Sequence, residues 1–199
     1  RLRHVELFAT ERLGAALVRL HEHYAESLPE GPSRTRFGTI ARSLSAYEGP
    51  SDADRLVLAH AASVECLDHR SLGTWSARGR EEYMTHWRWQ FDLTTGFAGR
   101  GDDVLALGHD AILLHQTYFG TGRTSGGYFE NVILVLFVYD AEGLITYIEL
   151  FEPDRAAEAL ARFDALTTGA TLPPPVRRRV RPNTATAVMT ACDVAFAQR

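Results

Sequence analysis

The chain has 199 residues, 45% of them hydrophobic, and a formal net charge of −4 with acidic and basic residues intermixed. That balance gives no basic field for nucleic acid, and the longest apolar run, Val132 to Tyr139, is too short to cross a bilayer as a helix. Two cysteines, Cys66 and Cys192, suggest no disulfide framework and point to a reducing, cytoplasmic setting.

Leu2 to Phe8 reads as a strand. Thr10 is a candidate N-cap for a helix whose stripe is Leu13, Leu17 and Leu20 and which ends near Ser27. Pro29-Glu-Gly-Pro32 is a linker, and a helix follows from about Arg34 to Tyr47, broken at Gly49-Pro50. Ser51-Asp-Ala-Asp54 resembles a capping box and opens a helix to about His60. Ser63 to His69 alternates as a strand does, and Gly79 precedes a helix from Arg80 to about Asp92. The period then changes to two. Asp103–Leu107, Ala111–Phe119, Tyr128–Tyr139 and Leu144–Phe151 are predicted strands, joined in part by the Gly120–Gly127 and Asp140–Gly143 turns. Pro153 suits the first turn of a closing helix from Asp154 to about Leu166. Helices followed by an antiparallel meander make an α+β pattern.

The chain also repeats itself. Glu149 follows Glu6 by 143 positions, and Arg155 follows Arg12 and Arg162 follows Arg19 by the same interval. Seven of the nineteen positions from Leu2 to Leu20 are identical to their counterparts, where about one would match by chance. So long a period means tandem domains. The expected organisation is 1–30 as the last strand and helix of a preceding repeat, 34–170 as a complete domain, and 176–199 as a linker and the first helix of a following repeat.

The element order, Asp68-His69-Arg70 at the end of the first strand, Gly79 before the long helix, and Ile148-Glu-Leu-Phe-Glu-Pro-Asp154 resemble the nuclear transport factor 2-like superfamily, specifically its SnoaL-like branch. The resemblance implies a cone: a strongly curved, mostly antiparallel sheet packed on three helices around an internal pocket. Members include polyketide cyclases, ketosteroid isomerases, dehydratases and epoxide hydrolases as well as non-catalytic binding domains, so the fold alone does not decide function. Units joined in series resemble the rear portions of large actinobacterial regulators.

Two residues are candidate catalytic groups. His69 could serve as acid or base near neutral pH. On the last strand Ile145, Tyr147, Glu149 and Phe151 share a face. By resemblance that face lines the cavity, and Glu149 stands where epoxide-hydrolase relatives place a water-activating carboxylate. Glu6 repeats Glu149, which favours a structural role for both, and Asp68 and Arg70 are expected to tie down the loop after the strand. Candidate ligand-binding residues are Tyr83, Trp87, Phe91, Gln116, Tyr118, Glu130, Tyr147 and Phe151. Gln90 and Trp89 sit on the second side of the third helix, as a pocket rim or a domain contact.

Other signals carry no chemistry. His21 and His23 diverge on a helix and make no zinc pair, the Gly120–Gly127 stretch lacks the lysine and helix of a phosphate loop, and Arg177–Arg181 reads as a solvated linker. No metal or cofactor is called for. The expected function is a small-molecule-binding or assembly module without catalysis, its partners a small apolar molecule and neighbouring repeats or a second copy. The alternative is a SnoaL-like cyclase, isomerase or hydrolase using His69 or Glu149.

Overall fold

Pro32 opens a helix where its missing N–H costs nothing, and that helix begins the body of the fold. The computed structural model describes residues 5–167. A 3-10 turn at Thr10–Arg12 leads into α1 (Leu13–Ser27), followed by α2 (Pro32–Ser45), β1 (Gly49–Pro50) and α3 (Ala53–Ala59). Next come β2 (His60–Asp68), β3 (Ala77–Arg78) and α4 (Arg80–Leu93). Four strands follow, β4 (Thr94–Leu107), β5 (Ala111–Gly122), β6 (Tyr128–Tyr139) and β7 (Ile145–Phe151), and α5 (Ala156–Thr167) closes the fold.

The strands form one seven-stranded sheet in the order β1-β4-β5-β6-β7-β2-β3. All neighbours are antiparallel except β2 and β7, which run parallel. β4 shifts register against β5 three times, between Thr95 and Ala98, Gly101 and Asp103, and Val104 and Ala106. Such bulges bend a strand and increase its twist, which curls the sheet. The result is the α+β cone expected from the element order.

Period-two alternation sorts the side chains onto two faces. Ile112, Leu114, Ile133, Val135, Ile148 and Leu150 point inward and pack with α2, α3 and α4. Leu113, Leu134, Leu136 and Phe151 point outward, where Ala159 and Phe163 of α5 cover them.

Several boundaries differ from the sequence reading. β4 starts at Thr94, nine residues before the expected strand, because Gly96, Gly99, Gly101 and the charged Arg100, Asp102 and Asp103 hide its period while its bulges absorb them. Asp52, not Ser51, caps α3, its carboxylate accepting from the Arg55 N–H. Pro153 lies ahead of α5 rather than in its first turn. Val5–Phe8 forms no strand. A strand needs a neighbouring edge to bond to, and this segment pairs with none among the described residues. The expected linker and helix at 176–199 lie outside the described residues.

Candidate functional site

Between α4 and the inner sheet face lies a cavity of about 60 Å³. By the ~10–15 Å³ that one water needs, it holds several waters or a ring-sized group. Helical spacing puts Tyr83 and Trp87 on one side of α4 facing it, and strand spacing puts Phe129, Asn131, Ile133 and Val135 of β6 in a row along it. Phe97 of β4 and Tyr118 of β5 complete the ring wall, stacked at 5.7 Å with their planes 9° apart. Trp75 meets Trp87 edge-on at 5.1 Å. Leu150 of β7 supplies part of the apolar lining, and Arg70, Gln90 and Asn131 supply the polar groups.

Trp75 and Arg70 come from the β2–β3 loop, and Asp68 positions both. Its carboxylate accepts from Arg70 Nε and Nη2, each at 2.8 Å, from the Arg70 backbone N–H at 3.1 Å and from the Trp75 N–H at 3.0 Å. Burial alone would raise the Asp68 carboxyl, but these donors outweigh it and hold the group below its ordinary value. Asp68 is thus the loop anchor the sequence suggested, whereas Arg70 also reaches the cavity wall.

Behind Tyr83 runs a buried hydroxyl chain. Tyr83 Oη lies 3.3 Å from Tyr47 Oη, which lies 2.6 Å from His60 Nε2, and His60 Nδ1 is 2.5 Å from the Leu56 carbonyl. That carbonyl can only accept, so the network assigns the proton to Nδ1 and leaves Nε2 to accept from Tyr47. Burial pushes the imidazole down to about 4, so it stays neutral. Burial also raises the Tyr83 and Tyr118 hydroxyls above their ordinary range. Hydrogen bonding to Asp68 raises the Arg70 guanidinium. The walls can therefore donate hydrogen bonds and stack rings, but the shifted groups on them are not poised to exchange a proton near neutral pH.

The two expected catalytic residues lie elsewhere. Glu149 points to the outer face, because Ile148 and Leu150 take the inward positions of β7. Its side chain is fully buried there, gripped by Nε and Nη2 of Arg162 on α5, with His69 Nε2 at 3.2 Å. Burial would raise the Glu149 carboxyl, but hydrogen bonds from Arg162 and Tyr147 prevail and lower it. So paired, the carboxylate ties α5 to β7. His69 stacks on Phe151 at 4.7 Å, also away from the cavity.

Of the expected ligand-binding residues, Tyr83, Trp87 and Tyr118 line the cavity. Phe91 packs beside it on Trp87 and Phe97. Gln116 is buried on the inner face but outside the cavity, its amide donating to the Tyr47 carbonyl at 3.0 Å. Glu130 is an exposed strand-end residue accepting from the Tyr128 hydroxyl at 2.9 Å. Tyr147 and Phe151 share the outer face with Glu149. The sequence reading missed Trp75, Phe97, Phe129 and Asn131. Alternation from Ile133 and Val135 along β6 would have found Phe129 and Asn131; Trp75 sits in a loop without period.

No family model and no curated protein matches the chain. Among solved structures, the chain is similar to an NTF2-like protein from Burkholderia thailandensis, with 22% identity over 63% of this chain and 97% of that one and a TM-score of 0.48. It is similar to a Δ5-3-ketosteroid isomerase from Mycobacterium sp., with 12% identity over 59% and 95% and a TM-score of 0.49. A protein of ketosteroid isomerase-like fold from Catenulispora acidiphila, in complex with trimethylamine, gives 17% identity over 57% and 84% and a TM-score of 0.47. The chain's own element order and sheet topology define a helix-covered, curved α+β sheet.

Proposed function

We propose that this unit is a non-catalytic binding module for a small, largely apolar, planar molecule, and one of a tandem series within a larger cytoplasmic protein. One observation carries the binding half of this reading. The aromatic cavity holds hydrogen-bond donors but none of the expected acid–base groups, and His69 and Glu149 stand on the opposite face of the sheet. Stacking surfaces from Trp75, Trp87 and Tyr118 suit a ring. Asp68 engages Nε and Nη2 of Arg70, leaving Nη1 for an acceptor such as a carbonyl or phenol oxygen. The repeated segment supports the tandem half, and the buried free thiol of Cys66 suits a reducing compartment. No helix among the described residues is long and apolar enough to cross a membrane.

The test is a thermal-shift series with single-ring phenols, aryl ketones and benzoates on the wild type, His69→Ala and Glu149→Gln. A ligand that binds only the folded state raises its stability by RT ln(1 + [L]/Kd). The reading expects a dose-dependent shift that both variants retain, with no ligand consumed. Absence of a shift across the panel, or turnover lost in either variant, contradicts it.

A further inference from the structure

α1 presents two faces. Leu17, 7% exposed, packs into the core with α2. Gly14 on the same side lies so close to the Glu48 carboxylate that a side chain there would overlap it. The second face carries Leu13, Ala16 and Leu20 and, with Phe8 and the margin of Leu17, borders an open apolar groove of about 710 Å³ whose other wall includes Val104 and Leu107 of β4. Leu20 is 57% exposed.

The internal repeat shows what covers such a face. At the interval of 143, Phe8, Leu13, Ala16, Arg19 and Leu20 correspond to Phe151, Ala156, Ala159, Arg162 and Phe163. In the complete unit Phe151, Ala159 and Phe163 are buried against Leu113, Leu134 and Leu136 on the outer sheet face. The ion pair recurs as well. Arg162 grips Glu149, and Arg19 Nη2 lies 3.0 Å from Glu6, although Val5–Phe8 is no strand. The two helices differ in one respect. Leu160 of α5, the counterpart of Leu17, is 37% exposed. The position α5 turns outward is the one α1 uses to dock on α2.

We propose that α1 is a helix shared between two units. Its Leu17 face belongs to the unit described here. Its Leu13–Ala16–Leu20 face, with Phe8 and the Glu6–Arg19 pair, closes the outer sheet face of a preceding unit of the same fold, as α5 closes this one. The occupant of the groove is thus a sheet face of aliphatic side chains, the chemistry that Leu113, Leu134 and Leu136 present to α5. Sharing one helix fixes the orientation of successive units, because α1 cannot serve both cores and swing between them. The inference rests on the tandem reading above and is independent of what fills the cavity.

The experiment uses the encoded polypeptide extended upstream of Arg1. Leu20→Cys is combined with a cysteine at the upstream position matching Leu134, in a Cys192→Ser background, and oxidised. The shared-helix arrangement expects an intramolecular cross-link in the native protein and none after denaturation before oxidation. It also expects Leu20→Asp to lower the melting temperature of the preceding unit while shifting that of the isolated 199-residue chain by less than about 1 °C. If no unit of this fold is encoded upstream, the tandem reading and this inference fall together. If one is encoded with its own closing strand and helix, or if the native protein gives no cross-link and Leu20→Asp leaves the preceding unit unaffected, the shared helix alone is overturned.

Discussion

The Tyr47 hydroxyl lies 2.6 Å from Nε2 of His60, a ring with no exposed surface, so the folded protein holds this histidine neutral. Its value falls from 6.5 to about 4 through burial. Between those limits the unfolded chain binds a proton that the folded one refuses, so this term makes stability rise with pH from about 4 to 6.5. The shift corresponds to ~3 kcal/mol. Glu48 works in the opposite sense. Burial raises its carboxyl from 4.5 to about 7, so the folded state keeps a proton the unfolded chain releases, and this term lowers stability as pH rises from 4.5 to 7. The two terms oppose each other in the wild type. We expect Glu48→Gln, which keeps an acceptor for the Gly101 N–H, to unmask the His60 slope. The variant should be more stable than wild type above pH 7 by ~1–2 kcal/mol, a figure discounted for partial exposure, and the gap should vanish near pH 4.5. Urea titrations from pH 4 to 8 measure both curves.

Arg162→Ala should cost ~2–3 kcal/mol, because it strands the buried Glu149 carboxylate; the low end applies since Arg162 itself is partly exposed. Glu149→Gln should cost less, as no buried charge remains. Both losses should appear as a lower denaturation midpoint with unchanged ligand affinity, since the pair lies on the outer face.

Asp68→Asn removes the charge that holds Arg70 and Trp75 in place. Hydrogen bonds to a charged group contribute about 1.5–3 kcal/mol each, so a loss of roughly 2 kcal/mol is expected, with a weaker thermal shift from ligand. Tryptophan fluorescence of Trp75 should move to longer wavelength as the loop opens. An unchanged spectrum and affinity would show that Asp68 does not position the cavity wall.

Much of the fold was legible because period and capping are local. Tyr128–Tyr139 matches β6 at both ends, and Arg80 starts α4 as Gly79 indicated. What escaped the sequence depends on partners far along the chain. β4 was half hidden because its glycines and charges fit bulges that only β5 defines. Leu2–Phe8 has every local mark of a strand, yet Val5–Phe8 joins no sheet edge among the described residues. The face of Glu149 was misjudged although alternation grouped it correctly with Tyr147 and Phe151. Alternation says which residues share a face, not which face meets α4 and which meets α5. The Glu6–Arg19 pair, by contrast, follows from the repeat, since both partners of the Glu149–Arg162 pair are copied at one interval.

The central claim is that the aromatic hollow beneath α4 takes a small ring. Titration calorimetry of the best ligand from the panel against wild type and Val135→Phe tests it most directly, because Val135 lines the cavity and a phenyl group there would fill it. The account predicts saturable one-to-one binding to the wild type and at least a tenfold loss in Val135→Phe, with the variant still folded. Equal affinity for the two proteins would place the ligand elsewhere and contradict the account.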